Sequence, residues 1–430
     1  MSNQKLKVLL IIEQCNPEAA SVPLVGYKFY QAISKLVDAT LVTHERNKTP
    51  LSRLKEHSNI TYIAESELTK KYFPIVGRLT MKGKNNWPLA NVLGYPVYAE
   101  FDRQVYQTFK DPIQRGDYDL VHAITPMQPR FPFKIVKACD RTPVAIGPVN
   151  GGVPFPAGFE EVARQEFAYL NFFRAIGRAL IPDYAATYKK ADKILAGSTY
   201  TLNLVKNMFA IPDSRIELFY ENGIASSFLT ETKKVTKDSP INLLFVGRLV
   251  PYKCADILIE AVSRLEPNVR EKTHLTIVGD GQERNSLEER VRELNLGEKV
   301  KFAGWVGQEE TVEYYRQADI FCFPSIREFG GAVVMEAMAC GLPCIVPNNG
   351  GIGEYVTEET GFRIEPTSRE YLTQELTNKI KILVEDDELR QKMSVKSMEK
   401  AKEFEWDCKA QKIVEIYHKT IAEKQAALSH

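Results

Sequence analysis

At 430 residues the chain is long enough for two ordinary domains, and 44% hydrophobic with 26% charged residues is the balance of a water-soluble globular protein. Seven cysteines without a C-x-x-C pair fit neither a disulfide scaffold nor a zinc site. No apolar run approaches the roughly eighteen residues of a membrane span, the polar start Met1 to Lys7 leads into a strand without a signal peptide, and a net charge of +1 with no nucleic-acid motif argues against a nucleic-acid partner, so a cytoplasmic protein is expected.

The first half alternates strands with helices. Lys7 to Glu13 is a near-continuous apolar run, as a central parallel strand requires. A helix is predicted from Gly26 to Leu36, strands over Ala39–Thr43 and Ile60–Ile63, a helix over Phe101–Arg115, and strands over Leu120–Ala123 and Val144–Pro148. Glu160 to Asp192 reads as one long helical stretch interrupted at Pro182, followed by strand Ile194–Gly197, helix Thr199–Phe209 and strand Ile216–Phe219. The polar segment Thr230–Pro240, with Lys233, Lys234 and Lys237, reads as a connection between domains.

The alternation then restarts. Strands are predicted over Asn242–Val246, Leu275–Val278, Val300–Phe302, Asp319–Phe323 and Cys344–Val346. Helices are predicted over Ala255–Leu265, Arg284–Leu294, Thr311–Gln317, Ala332–Cys340, Tyr371–Glu385 and Cys408–Ala426. Such alternation in both halves predicts doubly wound parallel sheets.

Charge is unevenly spread, +6 over residues 1–184 and −5 over 185–430. From Leu68 to Ala99 five basic residues (Lys70, Lys71, Arg78, Lys82, Lys84) are interleaved with Tyr72, Phe73, Ile75, Val76, Leu79 and Trp87, with no acid among them. That pattern fits either a solvated insertion or peripheral contact with anionic lipid head groups on the inner face of a cytoplasmic membrane.

The most informative stretch runs from Cys322 to Pro343. A buried strand ends at Pro324-Ser325, Gly330-Gly331 make a turn, and a helix opens at Ala332. A helix start presents unpaired N–H groups and the positive end of its dipole, a natural seat for an anion. Glu328 precedes the turn, and Glu336 follows on the helix, leaning toward the core, where a carboxylate is costly unless satisfied. After the first strand of the second half, Gly247-Arg248-Leu-Val-Pro-Tyr-Lys253 sets a planar cationic fork and a point charge on one loop. After strand Cys344–Val346, Gly350, Gly351 and Glu354 form another glycine-rich turn. His122 closes its predicted strand, and Asn150-Gly151-Gly152 follows the next. Asp117-Tyr-Asp119 imitates a metal-binding D-x-D but reads as a turn before a strand, and Gly279-Asp-Gly281 reads as a turn first.

Taken together, Glu328, Glu336, the Ala337-to-Pro343 run, Arg248 with Lys253, and Gly350-Gly351 with Glu354 resemble the retaining GT-B glycosyltransferases of the family 4 type. The resemblance is densest over residues 240–365. It implies two Rossmann-like domains facing a cleft, residues 1–225 on the acceptor side and 226–407 binding the nucleotide sugar, with helix 408–428 packing back on the first. It implies catalytic roles for His122, Arg248, Lys253 and Glu328. Arg248 and Lys253 neutralise the leaving nucleoside diphosphate, Glu328 touches the donor sugar and Glu336 its ribose. Gly247, Asn222, Gly330, Gly331, Ala332, Gly350, Gly351 and Glu354 complete the donor site, and Asn150, Gly151 and Gly152 face the acceptor.

The activity implied is transfer from a nucleotide-diphosphate sugar to a hydroxyl of a lipid-linked or saccharide acceptor, with no cofactor and no metal. A synthase of a soluble glycoside, a phosphorylase, and a non-catalytic sugar-nucleotide or polysaccharide-binding module are the alternatives. Three departures stand out: Phe329 precedes a Gly-Gly pair, Ala225 replaces the Asp usual after Asn222-Gly223, and the loop after the first strand holds only Gly26.

Overall fold

The computed structural model describes residues 5–54, 59–80, 86–172, 180–229 and 239–429. Lys82, Lys84, Phe173, Ile176 and the three lysines of the polar connection lie outside them, as does the side chain of Trp87. Two compact units emerge. Met1–Gly152, Phe167–Glu221 and Trp406–His430 form the first; Val153–Glu166 and Asn222–Glu405 form the second.

In the first unit, β1 (Lys7–Ile12), β2 (Asp38–His44), β3 (Ile60–Ile63), β4 (Leu120–Thr125), β5 (Val144–Val149), β6 (Lys193–Ala196) and β7 (Ile216–Leu218) make a parallel sheet in the order β3-β2-β1-β4-β5-β6-β7. Alternation along β1 sorts its side chains onto two faces. Leu9 and Ile11 pack with Phe101, Val105 and Phe109 of the helix Trp87–Arg115. Val8, Leu10 and Ile12 pack with Phe29 and Ile33 of the helix Val22–Ser34 and with Ile413 and Tyr417 of the terminal helix Trp406–Leu428. Burial on both faces explains why these strands read as unbroken apolar runs.

The second unit repeats the plan with β8 (Ile241–Val246), β9 (Thr273–Val278), β10 (Val300–Gly304), β11 (Ile320–Cys322), β12 (Cys344–Pro347) and β13 (Gly361–Ile364), ordered β10-β9-β8-β11-β12-β13 and parallel throughout. Strand order reverses between β8 and β11, which places a ligand crevice beyond their carboxyl ends.

Two readings of the sequence are corrected. The stretch 160–192 is not one helix: Glu160–Gln165 ends before Phe167, which takes a φ of 55°, and Tyr184–Lys190 starts after Asp183 at a φ of 64°. The 1–225 boundary does not hold over 153–166. That segment joins the second unit, where Arg327 Nε donates to Val153 O at 2.9 Å and Asn349 Nδ2 to Pro154 O at 3.4 Å. The helix Asp387–Ala401 and the strand β13 were not foreseen. The helix buries Arg390, Ser394 and Ser397 beside Met393, so no apolar stripe marks it, and its start is set by Asp386 accepting from Leu389 N at 2.8 Å.

Candidate functional site

The switch point of the second unit gathers most of the charged residues singled out from the sequence. After β8 the loop is braced from beneath: Gly247 N donates to Val278 O at 3.0 Å and Leu249 N to Asp280 O at 2.9 Å. Gly279-Asp-Gly281 therefore acts as a backbone support. The loop ends in the short 3-10 turn Pro251–Lys253, which buries the Lys253 side chain over the Phe323 ring, 4.7 Å from its centroid.

Glu328 reaches the same place from the loop after β11. Its Oε1 pairs with Lys253 Nζ and accepts from Ser325 Oγ at 2.8 Å. Both charged side chains are about nine-tenths buried. Burial presses the Lys253 ammonium below its ordinary pKa and Glu328 pushes it back up. Arg248 is exposed, and its Nη2 donates to the Tyr252 hydroxyl at 2.6 Å. Burial lifts the Tyr252 phenol to about 12.

Two glycines shape the floor. Gly331, at a φ of 44°, caps the helix Ala332–Ala339 without a side-chain acceptor, and a Cβ on it would lie 3.8 Å from Glu328 Oε2. The open helix start therefore lies beside the Lys253–Glu328 pair. Gly350, at a φ of 74°, bridges in parallel to Glu328, and a Cβ there would come within 1.9 Å of Glu328 O. Gly351 N donates to Phe329 O at 3.1 Å, and Asn349 Nδ2 to Ile326 O at 2.7 Å, stitching the two loops together. Glu354 is partly buried on the short helix Gly351–Tyr355.

Glu336 is buried, as its helical position implies, and accepts the Tyr315 hydroxyl at 3.0 Å. Tyr252, Phe323, Ser325 and Tyr315, which position these charges, were not singled out from sequence. Ser325 carried a signal, lying in the same loop three residues before Glu328.

In the first unit His122 is held inside the sheet. Strand β4 runs on to Thr125, so His122 lies within the strand rather than at its end. It is fully buried, with Nδ1 2.6 Å from the Tyr417 hydroxyl and Nε2 2.7 Å from Gly147 O. Burial lowers its pKa to about 4. Asn150 is likewise committed inside the unit: its Nδ2 donates to Glu221 at 2.7 Å, and its Oδ1 accepts from Ser198 at 3.0 Å and Thr201 at 2.8 Å. Gly151 N donates to Thr201 Oγ1 at 3.1 Å, and Gly152 follows at a φ of 87°. Asn222 opens the second stretch of the second unit, partly buried. Of the D-x-D imitation, Asp117 pairs locally with Arg115 at 2.8 Å, and Asp119 accepts from Lys7 N at 2.8 Å, fastening the start of β4 to that of β1.

Among the described residues, no group of three or more His, Cys, Asp or Glu is arranged to hold a metal ion, and no helix is long and apolar enough to cross a membrane. The first part of the basic stretch forms the helix Glu67–Thr80, which exposes Leu68, Phe73, Ile75 and Leu79, and its last part begins the helix Trp87–Arg115.

Residues 228–400 match the family model described as Glycosyl transferases group 1. The D-inositol 3-phosphate glycosyltransferase of Kineococcus radiotolerans is 28% identical over 197 residues, 43% of this chain and 45% of that protein. The chain spans about half the length of the curated relatives it matches. Anabaena HepE, solved in complex with UDP, superposes with a TM-score of 0.61 at 18% identity over 96% of this chain and 100% of its own. Sucrose-phosphate synthase of Thermosynechococcus elongatus gives 0.62 at 19% identity over 97% and 100%. The fold is that of the GT-B glycosyltransferases.

Proposed function

Taking residues 228–400 as a member of the glycosyl transferases group 1 family, we propose that the chain moves a hexosyl group from a uridine-diphosphate sugar to an acceptor hydroxyl on a lipid-linked or saccharide molecule. Retention at the anomeric carbon and independence of metal are part of the proposal. The observation that carries it is the buried Lys253–Glu328 pair at the β8/β11 switch point, beside an uncapped helix start. UDP in the structure of Anabaena HepE supports uridine as the base.

In this reading the C1–O bond to the β-phosphate breaks while the acceptor oxygen bonds C1 from the same face. The acceptor proton passes to an oxygen of the departing phosphate. Lys253, Arg248 and the N–H groups after Gly331 meet the charge that develops on that phosphate, and fixed dipoles aimed at developing charge are the strongest single aid to such a step. Glu328 keeps Lys253 in place and offers its other oxygen to a sugar hydroxyl.

The test is thermal stability with UDP, GDP or ADP in the presence of a chelator, for wild type and Lys253→Ala. Ligand at 100 times its Kd adds about 2.7 kcal/mol. A shift by UDP in wild type, lost in the variant, is expected; no shift by any nucleotide would move the reading to a non-catalytic module. Turnover with UDP-glucose followed by NMR of the product anomer tests retention, and turnover surviving chelator tests metal independence.

The apolar residues exposed along Glu67–Thr80 favour a second element, docking on an anionic bilayer. Flotation with phosphatidylglycerol vesicles is expected for wild type and lost in Leu68→Glu/Leu79→Glu. Equal flotation of the two proteins would remove it.

A further inference from the structure

The loop that sends Glu328 to Lys253 sends its neighbour Arg327 to Val153 and Phe155. Arg327 Nε donates to Val153 O at 2.9 Å. The guanidinium carbon lies 4.7 Å from the Phe155 ring centre and 5.2 Å from that of Phe329. One hydrogen bond and two aromatic rings hold the group in place. Its terminal nitrogens, Nη1 and Nη2, have no hydrogen-bond acceptor among the described residues.

The surroundings make this costly. The side chain is partly withdrawn from solvent, and burial lowers its pKa, while the carboxylates of Glu166 and Glu328 raise it from a distance. The Tyr252 phenol lies in the field of both Arg248 and Arg327. Lys253 is matched by Glu328 and Arg248 is exposed, whereas Arg327 is half-buried and has no carboxylate paired to it among the described residues. A half-desolvated guanidinium with an open fork is matched to a planar pair of oxyanion oxygens, and such a ligand offsets its desolvation.

We propose that Arg327 is a further oxyanion-binding residue of this site, taking two oxygens of a phosphate or carboxylate of the sugar nucleotide in its Nη1/Nη2 fork. The proposal rests on the nucleotide-sugar reading of the second unit. Two sources share the chemistry: the diphosphate itself, or an acid group on the transferred sugar.

Calorimetric titration of UDP, UDP-glucose, UDP-glucuronate and inorganic pyrophosphate into wild type, Arg327→Gln, Arg327→Lys and Lys253→Ala separates them. A charge-assisted bidentate contact predicts a loss of roughly 10- to 100-fold in affinity for Arg327→Gln. Arg327→Lys, which keeps the charge but not the fork, recovers only part of it. Equal losses for UDP, UDP-glucose and pyrophosphate assign the diphosphate; a loss confined to UDP-glucuronate assigns the sugar's carboxylate. Affinities of Arg327→Gln within twofold of wild type for all four probes overturn the proposal. The underlying reading fails separately, if Lys253→Ala binds UDP and pyrophosphate as wild type does. Should Arg327→Gln not fold, Phe155→Leu keeps the guanidinium and loosens its clamp; unchanged affinities there and in Arg327→Lys overturn the proposal equally.

Discussion

Replacing Lys253 by Met leaves the apolar stem over Phe323 and removes the ammonium, so Glu328 stays buried with Ser325 as a hydrogen-bond donor and no cation paired to it. Losing one member of a buried ion pair costs about 3–5 kcal/mol, whereas replacing both by uncharged groups of similar volume is near neutral. Desolvation is the largest influence on Lys253 and the Glu328 attraction opposes it, so the intact pair contributes little net stability. Lys253→Met should therefore cost about 3–5 kcal/mol. Adding Glu328→Gln should return most of that loss. Hydrogen exchange of the β8 and β11 amides in the full chain reads this locally. A single-variant loss below about 1 kcal/mol, or a double variant as unstable as the two singles summed, would refute the argument. Turnover should fall by orders of magnitude in all three variants, so the cycle separates the structural role of the pair from the role proposed for it in transfer.

Glu336→Gln should lower kcat/KM strongly, while Tyr315→Phe, which strips the buried carboxylate of a donor, should cost about 1–3 kcal/mol by urea denaturation. A folded His122→Gln should lose stability but keep kcat within a few-fold of wild type, because both ring nitrogens serve Tyr417 and Gly147; a drop of orders of magnitude would return His122 to the site. Asp102 is buried and its carboxyl is raised to about 7, chiefly by burial. A raised folded pKa gives stability that is full below the unfolded value and lost as pH rises through about 7. Asp102→Asn, which can still accept from Lys134 N, should therefore raise Tm at pH 8, by up to about 4 kcal/mol of stability, and flatten its dependence between pH 4 and 7. An unchanged pH profile would show that Asp102 ionises normally.

The sheets were legible because strands buried on both faces read as apolar runs closed by glycine or proline. The loops around Glu328, Lys253 and Gly350 were legible because they follow such strands directly. His122 was misplaced for a related reason. The run Leu-Val-His-Ala-Ile-Thr does not say where β4 stops, and three further residues of strand change an end position into an interior one. Arg327 could not be read, since its meaning comes from Val153 and Phe155, far away in the chain. The same holds for the helix Asp387–Ala401, whose buried face is polar and small.

The threading of the chain orders events during synthesis. The face of the first sheet that buries Val8, Leu10 and Ile12 needs Ala410, Ile413, Ile416 and Tyr417, and these are translated after every strand of the second unit. Until then the helix Val22–Ser34 covers only part of that face, although most of the first unit's sequence was made first. The second unit, by contrast, has every one of its strands translated before Trp406. Birth order and completion order are thus inverted, and loss of the helix Trp406–Leu428 should damage the unit begun first.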